Sequence, residues 1–161
     1  MMIDIRFPDG SVRSFEEGVT GYQIAESISP RLAADVLAVS VKADDDATVG
    51  KGNVIGLDTP IVKNSSIRLL KWDDPEGKHV FWHSSAHLMA QALEALYPGV
   101  KFGIGPALEN GFYYDVDLGD KVLSDNDLPA IEKKMLEFAH SKEAFQCAHV
   151  AKADDLNYFN E

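Results

Sequence analysis

The sequence is short of cysteine, of positive charge and of long apolar runs, and each shortage removes a class of protein. Its single cysteine, Cys147, has no partner for an intrachain disulfide. That excludes the cross-linked framework of a small secreted domain and points to a reducing, cytoplasmic setting. No apolar run approaches the roughly eighteen residues of a membrane-spanning helix. The opening MMIDIRFPDG carries an acid early and no apolar stretch of leader type, so neither membrane insertion nor export is expected. Fifteen Lys and Arg stand against 26 Asp and Glu, a formal charge of -11. Non-specific attraction to DNA, RNA or an anionic membrane is thereby disfavoured, and any RNA contact must be local or assisted. No internal repeat or low-complexity tract appears.

The 161 residues that remain to be explained are 45% hydrophobic and 25% charged, the composition of a globular chain of one or two small domains. A complete multidomain synthetase, kinase or transporter does not fit in this length. Residues Met2 to Phe7 alternate apolar and polar, meet the turn Pro8-Asp9-Gly10, and alternate again through Val12 and Phe15. This spacing predicts a β-hairpin. Thr20 suits an N-cap for a helix whose apolar positions Tyr22, Ile24, Ala25 and Ile28 run until Pro30 stops the pattern. Val36 to Val41, Ile55, Ile61 and Ile67 to Leu70 suggest short strands, with Asp44-Asp45-Asp46 as a solvated turn. Hairpin, helix and further strands is the order of a ubiquitin-like β-grasp, assigned to residues 1–72.

Asp73-Asp74-Pro75-Glu76-Gly77-Lys78 is charged and carries both Pro and Gly, so residues 73–79 are read as a linker. Residues 1–72 hold 8 basic and 10 acidic residues and residues 73–161 hold 7 and 16, which places the acidity in the second half. Phe81, Ala86, Leu88, Met89, Ala92, Leu93 and Leu96 predict a helix ended by Pro98-Gly99. A Gly-rich turn from Gly103 to Gly111 and a strand over Phe112 to Val116 follow. Next comes a helix with Pro129 in its first turn and Ile131, Met135, Leu136 and Phe138 as its stripe. Asp154 to Phe159 suggests one more short helix. Residues 80–161 thus form a second, incomplete α/β domain, and the chain as a whole is α+β.

The chemistry-bearing feature is His83-Ser84-Ser85-Ala86-His87. Four-residue spacing puts both imidazoles on one helix face, where they can share a water, a substrate oxygen or a metal. The plain alternative is one packed and one solvated histidine. A zinc-protease reading fails because Ser84 stands where that pattern needs a Glu. No Cys-x-x-Cys or second pair completes a tetrahedral site, so no tightly held metal is expected. His140 and His149 are isolated by pattern, and Cys147 reads as a structural thiol. Gly103-Ile104-Gly105-Pro106 lacks the Lys-Ser/Thr ending of a phosphate loop, and its glycines suit a tight turn with close backbone approach to a strand or a ligand. Strand alternation would let at most one of Tyr113 and Tyr114 face a pocket beside the histidines.

Taken together, these residues resemble the threonyl-tRNA synthetase family of bacterial type. The first seventy or so residues resemble its TGS domain through Pro8-Asp9-Gly10 and the Thr20 to Ser29 helix. The second half is similar to its amino-terminal editing domain through Asp73 to Gly77, His83 to His87, Gly103 to Pro106 and Asn110 to Val116. The resemblance implies a threonine–tRNA ligase whose editing domain hydrolyses serine wrongly attached to tRNA(Thr). It assigns His83 and His87 to positioning water or substrate, Gly105 to a backbone contact with the terminal nucleotide, and Tyr114 to a pocket wall. It also implies that a Cys-x-x-x-His element, a lysine and an aspartate of the pocket lie after Glu161. The catalytic core that uses ATP, Mg and Zn, and the anticodon-binding domain, are expected there too. The expected partners are the acceptor end of tRNA(Thr), the remainder of the synthetase and, for the parent, a second copy. No cofactor is expected in these residues alone, nor activity. The competing readings are a non-catalytic RNA- or protein-binding module and a freestanding deacylase related to the alanyl-tRNA editing proteins.

Overall fold

The computed structural model describes residues 1–46 and 52–143 of the chain. Strand β1 (Met2–Arg6) turns through Pro8-Asp9-Gly10 into β2 (Val12–Glu16), pairing Ile3 with Phe15 and Ile5 with Arg13. The turn is held by Asp9, whose carboxylate accepts from both the N–H and the hydroxyl of Ser11, while Gly10 takes a φ of 83° that a side chain would resist. After the short β3 (Val19–Thr20), helix α1 (Gly21–Ile28) opens on a reciprocal cap. The N–H of Gln23 donates to Thr20 Oγ1 at 3.3 Å and the N–H of Thr20 donates to Gln23 Oε1 at 3.0 Å.

Pro30 ends the pattern of α1 as expected, but it also starts a second helix, α2 (Pro30–Asp35). A proline at the first helical position loses no intrahelical bond, and Ser29 caps it by accepting from the N–H of Leu32. Strands β4 (Ala38–Ala43), β5 (Asn53–Ile55), β6 (Pro60–Ile61) and β7 (Ser65–Leu70) complete the first unit. The main sheet runs β2-β1-β7-β4-β5, with β1 and β7 parallel and the other pairs antiparallel, while β3 pairs with β6 apart from it. Ile3, Ile5, Val39 and Ile67 project from one face of that sheet onto Ile24 of α1, together with Ile61. The opposite face carries Arg6, Lys42, Ser66 and Arg68. The alternating burial of β1 follows from this two-sided placement.

The second unit begins earlier than its apolar pattern suggests. Helix α3 (Pro75–Leu96) starts inside the stretch read as linker, leaving only a tight turn between Lys71 and Asp74. Asp74 ties that turn: its carboxylate accepts from the N–H of Lys71 at 2.8 Å and from Arg68 Nη2 at 3.1 Å. Gly77 is needed because a methyl group there would collide with the carbonyl oxygen of Lys71. Aromatic rings brace the junction, with Trp72 5.0 Å from Phe81 and 5.7 Å from Trp82, centroid to centroid, both edge-on.

Beyond Pro98-Gly99, β8 (Lys101–Phe102) pairs with β11 (Val116–Asp117), and β9 (Ala107–Leu108) pairs with β10 (Gly111–Phe112). The strand expected over 112–116 is therefore two two-residue strands with Tyr113, Tyr114 and Asp115 between them. Helix α4 (Leu128–Ser141) follows with Pro129 in its first turn and packs on α3. The fold is α+β, with a mixed sheet and four helices among the described residues.

Candidate functional site

Helix α3 presents different residues on each of its sides. Ala86, Ala92 and Leu93 are buried, whereas His83 and His87 stay exposed on a neighbouring strip. The hairpin β9–β10 packs against α3, fixed at its tip by Lys78, whose Nζ donates to Asn110 Oδ1 at 2.7 Å. Trp82 touches the same hairpin through Phe112, with ring centroids 6.2 Å apart, and its indole N–H is buried without a partner among the described residues.

The two histidines meet as their spacing suggests. Their Nε2 atoms lie 3.1 Å apart and their rings stand nearly perpendicular, at 83° with centroids 4.7 Å apart. At that separation one Nε2 carries a proton and donates, while the other keeps its lone pair and accepts. Partial burial, and then the nearby charge of a protonated His83, hold the pKa of His87 below its ordinary value of 6.5. His87 is therefore neutral at pH 7. Of the serines between them, Ser85 donates its hydroxyl to the carbonyl of Phe81 at 2.8 Å.

Gly105 and Tyr114 form a second pair. The segment after β8 is laced to Asp115 by two backbone bonds, from the N–H of Gly103 to the Asp115 carbonyl at 2.8 Å and from the N–H of Asp115 to the Ile104 carbonyl at 2.9 Å. Tyr114 then lies against Phe102, with centroids 5.4 Å apart, and over Gly105, where an added Cβ would come within 2.5 Å of the ring. The close approach expected of this glycine is thus to a side chain of the next segment. Tyr113 points outward and is 44% exposed.

The structure accordingly places the four residues as two separate pairs, His83 with His87 on α3 and Gly105 with Tyr114 in the segments that flank the β9–β10 hairpin. The largest cavity described, about 660 Å³, opens beside Val80, Phe81, Ser84, Ser85 and Leu88 of α3 and the residues of α4 rather than at the histidines. Among the described residues no group of three or more His, Cys, Asp or Glu side chains is placed to hold a metal ion. His140 is exposed in the last turn of α4, whereas Cys147, His149 and the helix expected over 154–159 lie outside the described residues. His79 lies one turn before His83 on α3 and is exposed.

No family model matches the chain. It is 56% identical over 161 residues to the threonine–tRNA ligase of Porphyromonas gingivalis and 56% identical over 160 residues to that of Bacteroides fragilis. The threonine–tRNA ligase of Cytophaga hutchinsonii is 51% identical over 160 residues. The chain is a homologue of part of threonine–tRNA ligase. Each of these alignments takes in 99% of the chain but only 23% of the relative, so the chain spans about a quarter of the length of the ligases it matches. Both histidines, the glycine segment and the tyrosines fall within this homology to threonine–tRNA ligase.

Proposed function

We propose that this chain contributes to hydrolytic removal of serine from mischarged Ser-tRNA(Thr), as a region of a threonine–tRNA ligase. The observation that carries the reading is the 3.1 Å approach of His83 Nε2 to His87 Nε2. At 3.1 Å the two nitrogens touch directly, so a water enters between them only as the rings part. On entry the water accepts from one imidazole and donates to the other, replacing one N–H···N bond by two. The water oxygen then attacks the ester carbonyl at the tRNA 3′ end as its proton passes to the accepting Nε2. As the tetrahedral adduct collapses the C–O bond to the ribose breaks, and the imidazolium returns that proton to the departing ribose oxygen, releasing serine. A lowered pKa favours the neutral form of His87, which suits that task. Gly105 and Tyr114, packed against each other, are assigned to the pocket wall.

A second site of this kind answers a physical shortage. Threonine exceeds serine by one methyl group, and a hydrophobic pocket gains only about 1–3 kcal/mol per methylene. Ligation of threonine to tRNA with ATP, the Mg and Zn it uses, and pairing of two copies are assigned to the parent ligase. The acceptor end of tRNA(Thr) is the partner assigned to this region. These residues by themselves are expected to be inactive.

The test is serine release from Ser-tRNA(Thr) by the full-length ligase carrying His83→Ala or His87→Ala. Loss of a positioned acid–base group is expected to slow release by about 10²- to 10⁴-fold, and undiminished release removes the assignment. A second reading, a module that docks RNA without chemistry, is favoured by one observation: the largest cavity described does not open at the histidines. Tight tRNA binding with unchanged serine release in both variants selects it.

A further inference from the structure

The outer face of the β-grasp sheet carries a charge pattern that its own fold does not resolve. Arg6 of β1 and Lys42 of β4 are both in register with Ser66 of β7, one on each side, and Arg68 of β7 is in register with Ser40 of β4. Three cations from three adjacent strands therefore surround one hydroxyl. They line a groove of about 310 Å³ in which none of the described lining residues is acidic. In a chain with 26 acids and 15 bases this is the reverse of the average surface. Like charges on neighbouring strands repel, which makes the row a stability cost in the free protein.

Two of the nearby carboxylates are already engaged. Asp4, two residues before Arg6 on the same face, accepts from Ser14 Oγ at 2.6 Å toward the β2 side. Asp74 contacts one nitrogen of Arg68 at 3.1 Å, an exposed pair that leaves the other donors of the guanidinium available.

We infer that this groove binds the phosphodiester backbone of RNA, with Arg6, Lys42 and Arg68 as phosphate contacts and the Ser66 hydroxyl as a supporting donor. The choice of RNA as the polyanion rests on the proposed tRNA-handling role, whereas the anion site itself rests on the register. Arg6 and Lys42 straddle two strand spacings, about 10 Å, a span that lets flexible cationic side chains reach separate phosphates of one strand rather than converge on a single ion. A flat anionic bilayer is a poorer fit, because the -11 charge of the whole chain opposes bringing so broad a surface close. Contacts of this type position an RNA without reading its sequence.

The test is a fluorescence-anisotropy titration of the 161-residue chain with a labelled tRNA(Thr) transcript at about 50 mM monovalent salt, where phosphate contacts are strong. Arg6→Gln, Lys42→Gln and Arg68→Gln are each expected to weaken binding roughly three- to tenfold and to lower the salt slope by about one. Lys63→Gln and Lys134→Gln, whose amines pair with Asp45 and Glu137, serve as controls and leave affinity unchanged. Thermal unfolding confirms that each variant is folded, and Lys42→Glu, with reversed charge at the same place, is expected to weaken binding further. Equal losses in the controls overturn the site, as does an absence of RNA binding at this salt. Preference for phosphatidylserine vesicles over the transcript, or displacement of RNA by inorganic phosphate at equal phosphate concentration, overturns RNA as the ligand. Affinity is read at the sheet face and serine release at α3, so this inference and the hydrolytic reading can fail separately.

Discussion

The α-carbon of Gly105 faces the ring of Tyr114 so closely that a methyl group there would fall 2.5 Å from two ring carbons. The ring cannot retreat freely, because Phe102 stands on it with centroids 5.4 Å apart. Gly105→Ala is therefore expected to destabilise the second unit by about 1–3 kcal/mol, the usual range for overpacking. Urea unfolding of the variant, followed with near-ultraviolet circular dichroism of the tyrosines, measures this. An unchanged midpoint would mean that the glycine serves only a bound partner.

Gly77 makes a different test, because the atom it must avoid belongs to the backbone. Alanine would favour the first turn of α3 by up to about 1 kcal/mol through helix propensity alone. Against that, its methyl group would meet the carbonyl oxygen of Lys71, which is held by the turn through Asp74. The clash outweighs the propensity, so Gly77→Ala is expected to lose about 1–2 kcal/mol net in urea unfolding. A stabilised variant would show that the Lys71–Asp74 turn yields easily.

The same glycine explains why the junction was only partly legible. Pro75, Gly77 and the surrounding charges have the composition of a linker, yet proline fits the first helical turn and glycine is demanded there by a contact with Lys71 that no local pattern reveals. Pro30 repeats the lesson, since it ends one helix and begins another. The β-grasp unit was readable because Ile3, Ile5 and Phe15 alternate plainly and Pro8-Asp9-Gly10 fixes the register. Tyr113 and Tyr114 were misjudged as strand because their aromatic character suits one, whereas the wrapping of Asp115 around Ile104 is a non-local bond. At the site, the helical spacing of His83 and His87 gave their shared face. The approach of the two Nε2 atoms depends on side-chain rotamers, which the spacing does not specify.

Thr20 offers a check on local energetics remote from the site. Its hydroxyl and the Gln23 amide each satisfy an N–H that α1 would otherwise leave open. Thr20→Ala is expected to cost about 0.5–2 kcal/mol, and Thr20→Ser to recover most of it, because only the oxygen is needed. Equal stability of the Ala and Ser variants in thermal or urea unfolding would assign the threonine a packing role instead.

The pH dependence of the histidine pair follows from the direction of the His87 shift. Partial burial, then the nearby charge of a protonated His83, lower its pKa from 6.5, so the folded chain prefers the ring neutral. Between the lowered folded value and the unfolded value the unfolded chain binds more protons, and stability rises with pH across that window. The contribution is present in full above about 6.5 and is lost as pH falls through the folded pKa of His87. Proton NMR of the imidazoles is expected to show a midpoint for His87 below 6.5, and His83→Ala to move it upward by removing the neighbouring charge. If the ring is the water's proton acceptor, serine release by the parent ligase should decline over the same acidic range, and His87→Gln should abolish that dependence along with most of the activity. A His87 midpoint at or above 6.5 would contradict the burial argument and with it the claim that the ring is neutral because of its place on α3.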